Sequence, residues 1–113
     1  MGDGERMKKI LIVGAGFLQV PLIKKAKECG LYTIAVDGDQ NAPGFFYADE
    51  WECIDITDET QCLEYAKEKE INGVITAATD YGILTVARIA ETMNLPGISY
   101  EIAKTVKNKY QYI

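Results

Sequence analysis

Lys8-Lys9-Ile10-Leu11-Ile12-Val13-Gly14-Ala15-Gly16-Phe17-Leu18-Gln19 reads as a short apolar strand that runs through a glycine turn into a helix. Alpha/beta domains that handle nucleotides and phosphates open this way. Gly14 and Gly16 lack the Cβ that would widen the turn, so the main chain stays tight and a ligand can approach it closely. The helix that follows aims its unpaired N–H groups and positive dipole end above the sheet, where an anion is favoured. A dinucleotide-binding fold places a third glycine in the first helical turn, and here that position is Gln19. A long amide there either holds the helix off the sheet or reaches toward the site as a hydrogen-bonding group. The alternative reading is a tight strand-to-helix turn that binds no ligand.

Working outward, apolar β-rich runs alternate with helical patterns, as in successive βα units. Strands are expected at residues 10–13, 31–36, 53–56 and 74–76, with a very short fifth at Ile98. The strands at 10–13 and 74–76 are expected to be adjacent and interior, since both are short, apolar and β-branched. The first helix should turn Leu18, Leu22, Ile23, Ala26 and Cys29 inward, accommodate Pro21 in its first turn, and stop at Gly30. Asp58 and Gln61 have capping-box spacing for a helix to about Glu68 that buries Leu63 and Ala66. Asp80 opens a long amphipathic helix with Ile83, Leu84, Val86, Ala87, Ala90 and Met93 inward, stopped by Asn94-Leu95-Pro96-Gly97. Ser99 caps a last helix. The run 45–50 is too mixed to assign, and its aromatics suit core or interdomain packing better than base stacking.

The expected architecture is a three-layer Rossmann-like α/β sandwich around a parallel sheet of four to five strands. Its ligands belong beyond the carboxyl ends of the strands. Three loops converge there: Gly14-Ala15-Gly16-Phe17, the segment from Asp37 to Gly44, and Ala77-Ala78-Thr79-Asp80-Tyr81. They offer backbone donors, the carboxylates of Asp37, Asp39 and Asp80, and the Thr79 hydroxyl. Each has a plainer use, because Asp37 can end a strand by bonding local N–H groups and Asp80 can be a helix cap.

The chain has 113 residues, 48% of them hydrophobic, which is enough for one core. Its 12 Lys+Arg against 17 Asp+Glu give a formal charge of -5 with no basic cluster, so nucleic acid and anionic membranes are poor partners. No segment is long and apolar enough to read as a membrane span, and the run from Lys8 to Leu22 is too interrupted for a signal peptide. Cys29, Cys53 and Cys62 form no C-x-x-C pair and the chain has no histidine, so they are expected to be reduced, mostly buried thiols of a cytoplasmic protein. Residues 1–6 are expected to be a disordered extension or a cloning remnant.

Three stretches together carry a resemblance: Lys9 to Gln19; Val36-Asp37 through Asn41-Ala42-Pro43-Gly44 to Ala48-Asp49-Glu50; and Leu95-Pro96-Gly97-Ile98-Ser99. They resemble the N-terminal, pre-ATP-grasp domain of ATP-grasp ligases, most nearly the carbamoyl-phosphate-synthase-like branch. The resemblance implies a domain over residues 7–107, with 108–113 beginning an ATP-grasp domain that an excised fragment would lack. It implies a parent enzyme that uses ATP and Mg²⁺ to phosphorylate a carboxylate and lets an amine or thiol displace the phosphate. The fragment by itself would be inactive and bind neither cofactor. Its site residues would be Gly14, Ala15, Gly16, Phe17, Gln19, Asp37, Asp39, Thr79 and Asp80 toward the carboxylate substrate, and Lys109 toward the nucleotide. Its partners would be that substrate and the ATP-grasp domain, with a homodimer left open. Two other classes compete. One is an NAD(P)- or nucleotide-binding Rossmann module in which Asp37, about 20 positions after the turn, holds ribose hydroxyls. The other is a regulatory or interaction domain whose turn binds nothing.

Overall fold

The computed structural model describes residues 7–76 and 80–95, without the side chains of Asp80 and Tyr81. Four strands, β1 (Lys9–Val13), β2 (Tyr32–Asp37), β3 (Glu50–Cys53) and β4 (Gly73–Ile75), form one parallel sheet in the order β3-β2-β1-β4. Helices α1 (Val20–Glu28), α2 (Glu59–Lys69) and α3 (Asp80–Met93) cross between or follow them. Successive strand residues face opposite layers. Leu11 and Val13 of β1 and Ile34 and Val36 of β2 join Cys62, Tyr65 and Ala66 of α2 and Val86, Ile89 and Ala90 of α3 in the main core. On the other face Ala35 packs with Ala15, Ala42 and Phe45, beside α1 with its buried Ile23 and Ala26. The result is the expected three-layer α/β sandwich.

Local signals act where the sequence puts them. Pro21 sits in the first turn of α1, and Gly30 follows the helix at φ +83°, a conformation that costs a residue without Cβ nothing. Asp58 accepts a 3.0 Å bond from the Gln61 N–H at the start of α2. The reciprocal half of the capping box is replaced by the Asp58 N–H donating to the Asp55 carbonyl at 2.9 Å. Asn94 ends α3 at φ +58°.

Several expectations are corrected. Leu18 is 66% exposed because a 3-10 turn (Phe17–Gln19) precedes α1, and its tighter winding turns Gln19 inward in place of Leu18. Cys29 lies past the end of α1 and is exposed, as is Cys53, so among the three thiols only Cys62 is buried. The third strand is Glu50–Cys53 and not residues 53–56. Its register, Ile34 to Glu50 and Asp37 to Cys53, is set by pairing with β2, and the apolar Ile54 that suggested a later strand instead leaves the edge to enter the core. Of the two strands expected to be interior, β1 is, whereas β4 is outermost among the described residues. Ile98, the expected fifth strand, and the helix after Ser99 lie outside the described residues. The unassigned run contains a 3-10 turn (Pro43–Phe46) and the start of β3.

Candidate functional site

The carboxyl ends of β1 and β2 carry the glycine turn and the Asp37–Gly44 loop, which are bonded to each other. Gly14 takes φ +101° and donates to the Val36 carbonyl at 2.8 Å. The next N–H, of the fully buried Ala15, donates to Asp37 Oδ2 at 2.8 Å. Asp37 Oδ1 accepts from the Asp39 N–H, and Asp39 Oδ1 from the Asn41 N–H, both at 2.9 Å. The carboxylates therefore build the rim by holding loop backbone, the local use that short acidic side chains favour. Asp37 already serves N–H groups with both oxygens, including at the turn where a dinucleotide reading would have it grip a ribose.

Gly44 closes this arrangement from below. Its N–H donates to the Ala15 carbonyl at 2.7 Å, and a Cβ there would lie 2.6 Å from that oxygen and 2.8 Å from Ile23 Cδ1. No larger residue fits. Gly44 is a rim residue that the sequence does not mark, since nothing local to the Asn41-Ala42-Pro43-Gly44 phrase shows the approach of Ala15 from across the fold. Thr76 was also missed: its hydroxyl donates to the Val13 carbonyl at 2.6 Å and so caps the last carbonyl of β1. Gly82 of α3 packs on it, a Cβ there falling 2.8 Å from Thr76 Oγ1 and 3.3 Å from Val13 Cγ1. The first turn of α3 is thereby drawn to the end of β1.

Gln19 is 6% exposed and lies back over the turn. A Cβ on Gly14 would be 3.4 Å from Gln19 Cδ and Nε2, and one on Gly16 would be 3.3 Å from Oε1. The amide is folded over the two glycines of the turn and buried there. Phe17 is 79% exposed at the same rim, and Phe46, in the 3-10 turn packed beside it, is 85% exposed. Phe45 turns the other way, buried and stacked on Trp51 with ring centroids 4.3 Å apart. Asp39 is exposed at the loop tip. Asp80 is the first residue of α3, and Thr79 and Lys109 lie outside the described residues. Among the described residues no group of three or more His, Cys, Asp or Glu is arranged to hold a metal ion, and no helix is long and apolar enough to cross a membrane.

Asp55, whose Cα would lie 3.5 Å from a Cβ on Gly38, is held below the usual carboxylate range by the hydroxyl and N–H of Thr57; two other shifted groups lie away from the rim. The Lys69 ammonium beside Glu50 holds that carboxyl below its usual range, aided by the Tyr32 hydroxyl, which donates to Glu50 Oε1 at 3.0 Å. Burial pushes the Cys62 thiol up to about 12, with Asp58 and Asp55 adding to it.

A family model described as PylC-like, N-terminal domain, matches residues 10–100. The phosphoribosylglycinamide synthetase of Anaerococcus prevotii superposes with a TM-score of 0.82 at 38% identity, covering 91% of this chain and 26% of that one. The formate-dependent phosphoribosylglycinamide formyltransferase of Prochlorococcus marinus subsp. pastoris is 42% identical over 65 residues, 58% of this chain and 16% of its own length. Its counterpart from Bacillus velezensis is 27% identical over 125 aligned positions, 87% of this chain and 33% of its own length. The chain thus spans a third or less of each of these relatives.

Proposed function

Because the chain belongs to the PylC-like N-terminal domain family, the pre-ATP-grasp domain of ATP-grasp ligases, we propose that it forms the substrate-side wall of an ATP-dependent ligase. The ligase joins a carboxylate to an amine or thiol. In that reaction a carboxylate oxygen attacks the γ-phosphorus of ATP and ADP leaves; the nucleophile then attacks the acyl carbon and phosphate leaves. Both steps build negative charge, so stabilisation comes mainly from fixed donors and dipoles.

The observation that carries this reading is the bond from Ala15 N–H to Asp37 Oδ2. It fixes the glycine turn to the β2 loop at the carboxyl edge of the sheet, so the opening of the Phe17-to-Glu28 helical segment faces the rim with its geometry set in advance. The N–H groups of Phe17 and Leu18, which open that segment and have no acceptor within it, receive an anionic head. Gln19, Asp39, Thr79 and Asp80 orient the rest of the substrate, and Phe17 lines the wall. The role given to this wall is to bind and orient the carboxylate substrate. ATP and Mg²⁺ belong to the remainder of the ligase, to which this chain contributes Lys109 as a cation toward the nucleotide.

Backbone amide NMR of the chain titrated with acetyl phosphate tests the reading. Shifts should concentrate at residues 14–19 and 37–44. Shifts confined to other surfaces, or ADP production by the chain alone in a coupled assay, would overturn it.

A further inference from the structure

We infer that Thr76 is a positioning residue: through its hydroxyl, the first turn of α3 sets the orientation of the Val13–Gly14 peptide and with it the glycine turn. How the turn is held is independent of what it binds, so this goes beyond the proposed wall and does not rest on it.

β4 pairs with β1 as far as Ile75 opposite Ile12, and one position further on the Thr76 hydroxyl donates to the Val13 carbonyl at 2.6 Å. The N–H of the same peptide, that of Gly14, donates to the Val36 carbonyl at 2.8 Å. In a planar trans peptide the C=O and N–H point opposite ways, so this one unit is gripped from β2 on one side and from the end of β4 on the other. Gly14 leaves the fixed plane at φ +101°. The next groups of the turn are held from the β2 side, the Ala15 N–H by Asp37 Oδ2 at 2.8 Å and the Ala15 carbonyl by the Gly44 N–H at 2.7 Å. Thr76 supplies the hold from the β4 side, and it is itself seated against α3. A Cβ on Gly82 would lie 2.8 Å from Thr76 Oγ1 and 3.3 Å from Thr76 Cβ and Val13 Cγ1, so the hydroxyl fits because α3 presents bare backbone there. Further along, α3 is anchored by the Thr85 hydroxyl, which donates to the Ile56 carbonyl, and by Arg88 Nε, 3.3 Å from Glu59 Oε1. The glycine turn and the start of α3 therefore keep one fixed relation at the rim, set through a single side chain.

The test is amide hydrogen exchange by NMR on the chain and its variants, with Gly14 read against the Cys62 N–H, which donates to the Asp58 carbonyl at the start of α2. Thr76→Val keeps the volume and removes the donor, so Gly14 exchange should rise roughly fivefold relative to Cys62 and return in Thr76→Ser. Gly82→Ala, whose added methyl meets the Thr76 hydroxyl, should raise Gly14 exchange in the unmodified chain and add nothing in a Thr76→Ala background, where that hydroxyl is gone. Unchanged Gly14 exchange in Thr76→Val, or a Thr76→Ser variant no better than Thr76→Val, would overturn the inference. So would a Gly82→Ala effect that persists in the Thr76→Ala background, because the contact would then run through Val13. Thermal melts report which variants fold. If one of Thr76→Val and Gly82→Ala does not fold, the other decides; if neither folds, Thr76 is a packing residue and the inference fails.

Discussion

Asp37 accepts the Ala15 N–H across 22 positions of sequence, joining the ends of two neighbouring strands at the rim where the ligand belongs. Asp37→Ala would leave a fully buried N–H unpaired and free the Asp39 N–H as well. Losing a charge-assisted acceptor of this kind costs about 1.5–3 kcal/mol. The urea midpoint should fall accordingly, with Asp37→Asn recovering part of the loss. An unchanged midpoint would mean that the bond does not hold the turn.

Gly44→Ala should be more damaging than its one added methyl suggests. The new Cβ would meet backbone, the Ala15 carbonyl oxygen at 2.6 Å, which cannot swing away as a flexible side chain does. Overpacking of this sort costs about 1–3 kcal/mol, and in a domain of this size each kcal/mol lowers the melting temperature by about 4–8 °C. Gly73→Ala is the control, since a Cβ there has no neighbour within 4 Å. Equal melting temperatures for the two variants would contradict the close approach.

Thiol labelling should divide the cysteines two to one. Cys29 and Cys53 are exposed, whereas Cys62 is fully buried with its thiol pushed up to about 12. Only a thiolate alkylates at useful rates. In native protein at pH 8, iodoacetamide should modify Cys29 and Cys53 and spare Cys62 until denaturant is added, as read by peptide mass spectrometry. Early labelling of Cys62 would show that the α2 layer opens readily.

Acid should weaken the fold partly through Glu50. Its carboxyl is held below its ordinary 4.5 by Lys69, so the group stabilises the folded state fully above that value and loses the contribution as pH falls through the lower, folded one. Lys69 is raised from 10.5 by the same partner, and its share is lost only as pH climbs through that raised value. Glu50→Gln should therefore lower stability at pH 7 and reduce the further loss between pH 5 and 2. Parallel denaturation curves for both proteins across that range would refute the linkage.

Short-range chemistry was legible in the order of residues alone. Gly14 and Gly16 mark a turn, Pro21 and Gly30 bracket a helix, Asp58 caps another, and the apolar runs near residues 10–13, 31–36 and 74–76 are parallel strands, because each signal depends on neighbours within a turn or on strand periodicity. Candidate rim residues were legible for the same reason, as groups that must follow a strand in such a sheet. Which partners those groups take became visible only in the folded chain. The bonds from Ala15 to Asp37 and from Thr76 to Val13 span 22 and 63 positions, the approach of Gly44 to Ala15 depends on how one loop docks under another, and the third strand shifts to residues 50–53 because its register is chosen by β2. The inward turn of Gln19 depends on a 3-10 winding that displaces Leu18. None of these has a signature within a few residues of itself, since each is fixed by packing between elements that the chain brings together only on folding.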